Sequence, residues 1–121
     1  MARVVHFEIL VDDPAGVSKF YEKVFGWQIA TWGEGAQTYW LATTGADGTP
    51  GINGGLMHKE FPQQTINTIE VESLDDTIAK IEQSGGKKLN GPNEIPGIGT
   101  HAYCTDVGGN IFGVIQFVTA S

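Results

Sequence analysis

The chain repeats its own order of structural signals after about 60 residues, and this repeat constrains the fold more than any single motif. Segment 5–26 reads VHFEILVDDPAGVSKFYEKVFG, and segment 66–86 reads INTIEVESLDDTIAKIEQSGG. Each contains a strand-like alternation, a helix-capping residue, a helical pattern and a glycine stop. Such a repeat is too long for a solenoid unit and too short for a comfortable independent domain, so we expect two half-domains that share one core.

The first module begins at 3–11 with residues whose side chains would alternate between two faces, a pattern that is typical of a strand. Its apolar face carries Val5, Phe7, Ile9 and Val11, which we expect to be core, and its other face carries His6, Glu8 and Leu10. Asp13 and Pro14 then begin a helix that Gly26 ends. The predicted buried stripe of this helix is Val17, Phe20, Tyr21 and Val24. Strands WQIATW, QTYWLATT and GINGGLM follow.

The second module repeats this order. Strand TINTIEVE presents Thr68 and Glu70 on one face, and Ser73 caps a helix with the stripe Leu74, Ile78 and Ile81. Gly85 and Gly86 end that helix, and strands KKLNGPNEI, GTHAYCTD and NIFGVIQFV follow. The pattern predicts an α+β protein with the order βαβββ twice. We expect one domain over 1–121, with modules at about 3–60 and about 64–118.

Composition narrows the possible partners. The net charge of −7 and the pI near 4.7 disfavour binding to nucleic acid or to an anionic membrane. No apolar run approaches the length of a membrane span. The single cysteine, Cys104, cannot form an intramolecular disulfide, which favours a reducing compartment and a cytoplasmic protein. Small molecules and protein partners remain as ligands.

Each predicted helix covers one face of its own strands, and the other face is left for polar side chains. Two such modules side by side would form a curved sheet whose concave interior suits a ligand cleft. The side chains predicted to line this cleft are His6, Glu8, Tyr39, Met57, Thr68, Glu70 and Tyr103. Neighbouring Tyr39 and Trp40 must point to opposite faces, and the sequence leaves open which of them enters the cleft.

The segments VVHFEILVDD, KFYEKVFGW, GINGGLM and CTDVGGNIFGVIQF resemble the vicinal oxygen chelate superfamily. This superfamily includes glyoxalase I, fosfomycin and bleomycin resistance proteins, and extradiol dioxygenases. The resemblance covers essentially the whole chain. It implies paired βαβββ modules that form a curved mixed-sheet cup, a divalent metal in many members, and a homodimer.

The same resemblance identifies the positions of a glyoxalase-type metal site. The first ligand position falls on His6, but the other positions fall on Ile66, Gly55 and Gly113, which have no side-chain donor. We therefore do not expect a glyoxalase-type site. We expect instead that the missing side chains leave space above the glycines and enlarge a pocket.

Three function classes follow from these residues. The leading prediction is a protein that binds a small organic ligand, with no cofactor assigned and with the question of catalysis open. The rival is a metal-dependent lyase or isomerase in which His6, Glu8 and Glu70 hold a divalent metal and a glutamate acts as base. A protein-interaction module would also fit the acidic charge.

The remaining reactive residues receive structural interpretations. His58 and His101 lie outside the aligned ligand positions, so we expect them on the surface or in turns. Cys104 and His101 are three positions apart on one predicted strand and therefore face opposite sides. We expect a buried core cysteine rather than a Cys-His nucleophile.

Overall fold

A computed structural model describes residues 2–118 of the chain. The helices are α1 (Pro14–Phe25) and α2 (Leu74–Gln83). The strands are β1 (Val4–Val11), β2 (Gln28–Trp32), β3 (Tyr39–Thr43), β4 (Asn53–His58), β5 (Thr65–Glu70), β6 (Lys87–Ile95), β7 (Gly99–Thr105) and β8 (Ile111–Phe117). This order confirms the predicted βαβββ repeat. A 3-10 turn at Gly35–Gln37, which the sequence did not indicate, precedes β3.

The residues form two compact units. The first unit is His6–Ile66, and the second begins at Asn67 and includes the N-terminal segment that ends at Val5. The strands of the first unit lie in the order β2-β3-β4-β1, and those of the second in the order β5-β8-β7-β6. In each unit the first and last strands in sequence pair in parallel, while the other pairs are antiparallel. The repeat in sequence is therefore a repeat in strand pairing.

Helix α1 begins and ends at the predicted residues. The Asp13 carboxylate accepts a hydrogen bond from the Gly16 N–H at 3.1 Å, and Pro14 occupies the first turn. Gly26 ends the helix with a φ of 75°, a left-handed conformation that glycine adopts without steric cost.

The predicted buried stripe of α1 is wrong in part. Phe20 and Val24 are 56% and 54% exposed, whereas Pro14 and Ser18 are buried. Tyr21 stacks on Trp27 with ring centroids 4.7 Å apart. This contact favours a helix rotation that turns Phe20 and Val24 outward.

Helix α2 matches its prediction. The Ser73 hydroxyl accepts a hydrogen bond from the Asp76 N–H at 3.2 Å and caps the helix. Leu74 and Ile78 pack in a buried cluster with Val71, Ala102, Cys104 and Val114, and Ile81 packs against it. The core of the second unit therefore lies between α2 and its strands.

The expectation that the odd-numbered residues of β1 form the core face is wrong in part. Leu10 on the opposite face is fully buried, while Phe7 and Ile9 are half-buried. The backbone of β1 is engaged along both edges, because β4 pairs with one edge and the Leu10 N–H donates to the Gln64 carbonyl at 2.7 Å.

Neither helix in residues 2–118 is long and apolar enough to cross a membrane.

Candidate functional site

The polar side chains of the first unit gather on the sheet face opposite α1, which we call its helix-free face. Phe7 packs against Trp27, which stacks on Tyr21 of α1, so the odd positions of β1 face the helix. Alternation then places His6 and Glu8 on the helix-free face. Gly55 of β4 is the register partner of Glu8, and it joins them on that face.

A hydrogen-bonded chain connects three of these side chains. The Tyr39 hydroxyl donates to Oε2 of Glu8 at 2.9 Å, and it lies 2.7 Å from Nε2 of His6. We call these residues the first-unit cluster. Because the phenol proton points to the carboxylate, the imidazole must donate its Nε2–H to the phenol oxygen, which fixes the His6 tautomer. Burial lowers the pKa of His6 below 6.5, so its neutral form is favoured.

The structure settles the choice between Tyr39 and Trp40. Tyr39 joins Glu8 on the helix-free face, and Trp40 makes an edge contact with His58. The Tyr39 ring crosses diagonally from β3 and lies over Gly55, where a β-carbon would overlap its ring carbons and its hydroxyl oxygen. The expected empty space above Gly55 is therefore wrong, because Tyr39 fills it.

The second unit has a related arrangement on its own helix-free face. Ala102 and Cys104 pack with α2, so His101 and Tyr103, which alternate with them on β7, face the other way. Thr68 is the register partner of Gly113 and is 2% exposed. A β-carbon at Gly113 would lie 2.6 Å from Nε2 of His101 and 2.8 Å from Oγ1 of Thr68. The space expected above this glycine is also filled.

His101 was predicted to lie on the surface or in a turn, and that prediction is wrong. It is half-buried on β7, and its ring meets the edge of Tyr103 with centroids 4.5 Å apart. The aligned metal positions gave no signal for this residue. The strand register explains its position. Tyr39 pairs with the residue two positions after Gly55, and His101 pairs with the residue two positions after Gly113.

The two units therefore match position by position. Glu8 and Thr68 pair with the two glycines from one side. Tyr39 and His101 cover the glycines from the other side. The backbone geometry repeats, but the side chains differ. The first unit has a carboxylate and a phenol at these positions, and the second has a hydroxyl and an imidazole.

The other predicted site residues are placed as follows. Met57 is half-buried on the helix-free face and is the register partner of both Leu10 and Tyr39. Glu70 is half-buried, and its backbone N–H donates to the Arg3 carbonyl at 2.9 Å. Tyr103 lies beside His101.

The remaining structural interpretations are confirmed. His58 is exposed at the end of β4. Cys104 is fully buried in the α2 core.

The residues do not fit a glyoxalase-type metal site. Of its four positions, only His6 has a donor, and the space above Gly55 and Gly113 is taken by Tyr39 and His101. The predicted alternative set of His6, Glu8 and Glu70 is not assembled either. Within residues 2–118, no group of three or more His, Cys, Asp or Glu side chains is placed to hold a metal ion. The Tyr39 hydroxyl instead bridges His6 and Glu8.

Comparison with known families decides the family. The model of the Glyoxalase/Bleomycin resistance protein/Dioxygenase superfamily matches residues 3–114. The chain belongs to this superfamily. The family predicted from the sequence is thereby confirmed, as is the α+β fold of two βαβββ modules. A comparison with curated proteins found no match to the chain.

Solved structures of similar fold include several methylmalonyl-CoA epimerases. One, in complex with methylmalonyl-CoA and NH4+, has a TM-score of 0.74 and 14% identity over 98% of this chain and 96% of its own. A variant of the Streptomyces coelicolor enzyme, in complex with 2-nitronate-propionyl-CoA, has a TM-score of 0.74 and 13% identity over 100% and 98%. The Mycobacterium tuberculosis enzyme has a TM-score of 0.70 and 13% identity over 96% and 88%. At these identities the similarity establishes the fold.

Proposed function

We propose that the first-unit cluster binds a small organic molecule on the helix-free face of its unit. The observation that supports this most directly is the continuous hydrogen-bonded chain from His6 through Tyr39 to Glu8. Glu8 is 7% exposed, and burial of a carboxylate is unfavourable unless the group is hydrogen-bonded. A sheet face held together by apolar packing alone would not need this arrangement.

The residues around the cluster indicate the kind of ligand. The imidazole, phenol and carboxylate can exchange hydrogen bonds with a hydroxyl or carbonyl group. Met57, beside Tyr39 in the adjoining strand, offers a flexible apolar contact. These features favour a compact ligand with one oxygen-bearing end and one apolar end. The epimerase structures, whose ligands are CoA esters, add support from the same fold.

Thermal-shift measurements test the binding proposal. Short hydroxy acids, keto acids and acyl-CoA thioesters are screened against the wild type, Tyr39→Phe and Tyr21→Phe. A ligand of the folded state raises the midpoint by mass action. Tyr21 is a matched control because it is a half-buried tyrosine on the helix side, stacked on Trp27.

We expect a compound that stabilises the wild type and Tyr21→Phe to lose most of its effect on Tyr39→Phe. Equal stabilisation of all three proteins would contradict binding at this cluster.

A second candidate function is proton transfer at a carbon next to a carbonyl group. A buried carboxylate held by a phenol can accept such a proton and return it, as a general base and acid do. Glu8 with its Tyr39 donor has this arrangement, and the similar epimerase fold favours the idea. In this candidate Glu8 is the base and Tyr39 positions it.

Hydrogen exchange in D2O tests this candidate with methylmalonyl-CoA, the ligand of a similar structure, as the first compound. We expect Glu8→Gln to slow exchange by about a hundredfold or more. Glu22→Gln, on the exposed side of α1, is the control and should exchange at the wild-type rate. Wild-type exchange no faster than the protein-free reaction would contradict the candidate for this compound.

We also propose that the chain forms a homodimer, as its family resemblance implies. Phe20, Val24 and Phe25 of α1 are 54–61% exposed, and exposed apolar clusters often mark interfaces. Sedimentation equilibrium at micromolar concentration should give twice the 13.0 kDa chain mass. A species of 13.0 kDa throughout the concentration range would contradict the dimer.

A further inference from the structure

The helix-free face of the first unit carries exposed apolar side chains beside the first-unit cluster. Trp32 of β2 is 58% exposed, and Leu41 of β3 is 41% exposed. Trp32 is the register partner of Tyr39, and Leu41 is the register partner of Gly55. Because register partners project to the same side of a sheet, both side chains lie on the face that carries Tyr39. We call Trp32, Leu41 and Ala30, which pairs with Leu41, the apolar strip.

The second unit shows that the fold does not require a tryptophan at this position. His101 occupies the position that Tyr39 has in the first unit, and its register partner on β6 is the exposed Asn93. Asn93 therefore occupies the position of Trp32. An exposed asparagine remains hydrated, whereas an exposed indole leaves a large apolar surface in water. The packing of the strands thus does not account for the indole.

From the place of the apolar strip we infer that it binds a planar aromatic ring of a small molecule whose oxygen-bearing end contacts the first-unit cluster. The inference rests on the proposed function, because the cluster supplies the other end of the site. It narrows the ligand from any molecule with an apolar end to one whose apolar end is an aromatic ring system.

The composition of this face selects the kind of ligand group. An indole presents a flat surface on which another aromatic ring stacks, and the side chains of Leu41 and Ala30 add apolar contact. The other residues on this face of β2 and β3 are uncharged; they are Gln28, Tyr39 and Thr43. A charged ligand group would therefore find no counter-charge on the strip. The polar groups of the ligand belong at the cluster end.

The apolar strip adjoins the cluster closely enough for one molecule to contact both. The Tyr39 ring fills the volume over Gly55. Leu41 pairs with Gly55, so its β-carbon lies about 5 Å from that volume. Trp32 lies on the next strand, about 4.8 Å further across the sheet. A ligand can thus extend from the cluster over the Tyr39 ring to the indole along exposed side chains.

A pair of probes tests the aromatic requirement. 2-Naphthol and decahydro-2-naphthol carry the same hydroxyl group on the same carbon skeleton, but only the first is planar and aromatic. Affinities are measured by calorimetry, and NMR follows the indole N–H signals during each titration. The Trp32 signal is assigned as the one that is missing from Trp32→Leu.

Four variants locate the binding. Trp32→Leu keeps an apolar side chain but removes the flat surface, and Trp32→Phe keeps a flat ring. Tyr39→Phe removes the hydroxyl of the cluster. Leu41→Ala shortens the apolar strip, and its matched control is Leu89→Ala, because Leu89 is 44% exposed on β6 of the second unit. Cooperative thermal melts establish that each variant is folded.

We expect 2-naphthol to shift the Trp32 signal saturably and to bind about three- to tenfold more tightly than its saturated counterpart. Trp32→Leu should raise the apparent Kd of 2-naphthol by a similar factor, about three- to tenfold, and should change that of decahydro-2-naphthol by less than about twofold. Trp32→Phe and Leu89→Ala should retain the wild-type affinity for 2-naphthol. Leu41→Ala should weaken both probes by about twofold or more.

Equal affinities for the two probes, or no saturable shift of the Trp32 signal, would overturn the inference. If 2-naphthol binds more weakly to Tyr39→Phe but equally well to Trp32→Leu, the proposed function stands and this inference fails. Weaker binding to Trp32→Leu with no effect of Tyr39→Phe would support the aromatic site and contradict the cluster as its polar end. A Trp32 signal that shifts with protein concentration alone would assign the apolar strip to a second copy of the chain and would overturn the inference.

Discussion

The ring of Tyr39 lies directly over Gly55, in the volume that a side chain at residue 55 would require. This placement lets the Tyr39 hydroxyl of β3 reach across β4 to Glu8 and His6 on β1. Glycine lowers the stability of a strand, but its missing side chain leaves the room that the Tyr39 ring needs to form the polar cluster. It also explains why the absence of a side chain at residue 55 does not leave an empty pocket.

Substitution of Gly55 tests this relationship. We expect Gly55→Ala to lower the free energy of unfolding by about 1–3 kcal/mol, because the new methyl group displaces the Tyr39 ring. Urea denaturation measures the change. In a Tyr39→Ala background the same substitution should cost about 1 kcal/mol less, since the ring is no longer there to be displaced. An identical cost in both backgrounds would mean that the ring does not occupy this volume.

The stability of the protein should depend on the ionisation of His6. Its folded-state pKa is lowered by burial from 6.5, so the unfolded chain binds the proton more readily. The stabilising contribution is therefore complete above pH 6.5 and is lost as the pH falls through the folded-state pKa. We expect the urea midpoint to decrease on acidification below pH 6.5.

His6→Gln should weaken this dependence, whereas His58→Gln, at an exposed site, should preserve it. If the urea midpoint of His6→Gln depends on pH as that of the wild type does, another group causes the loss of stability at low pH.

The side chain of Gln116 connects β8 to the start of α2, where its amide oxygen accepts a hydrogen bond from the Leu74 N–H at 2.8 Å. The first backbone N–H groups of a helix have no partner within it. We expect Gln116→Ala to lower the free energy of unfolding by about 1 kcal/mol.

Gln116→Glu keeps an oxygen acceptor in this place and should lose less. Chemical denaturation of the three proteins gives the order of stability. A glutamate variant as unstable as the alanine variant would argue against the role of the acceptor oxygen.

Cys104 should be unreactive in the folded protein. Its side chain is fully buried, and its thiol pKa is raised by that burial first and by nearby Glu82 second. Since the thiolate is the reactive form, both effects slow the reaction. We expect Ellman's reagent to modify the thiol slowly in buffer and rapidly in guanidinium chloride, with the rate following the unfolded fraction. Rapid stoichiometric reaction without denaturant would contradict this burial.

The sequence was sufficient for the arrangement of elements, because the caps at Asp13 and Ser73 and the stop at Gly26 act locally. It was less reliable for which side chains are buried. Phe20 and Val24 fit a helical stripe, but the rotation of α1 depends on the contact between Tyr21 and Trp27, which no periodicity reveals.

The candidate sites were likewise predictable only in part from the sequence. Alternation was enough to put His6 and Glu8 on one face. The position of Tyr39 depends on a diagonal between strands, and that of His101 on a register that the aligned metal positions did not include. Side chains that reach across strands are set by pairing partners distant in sequence, so local patterns did not identify them.

The matched positions in the two units have a consequence for how such a scaffold can diversify. Backbone register fixes where two side chains meet over a glycine, while their identities differ between Glu8 with Tyr39 and Thr68 with His101. Either half could thus acquire a new specificity through a pair of point mutations, without any change to loops or strand lengths.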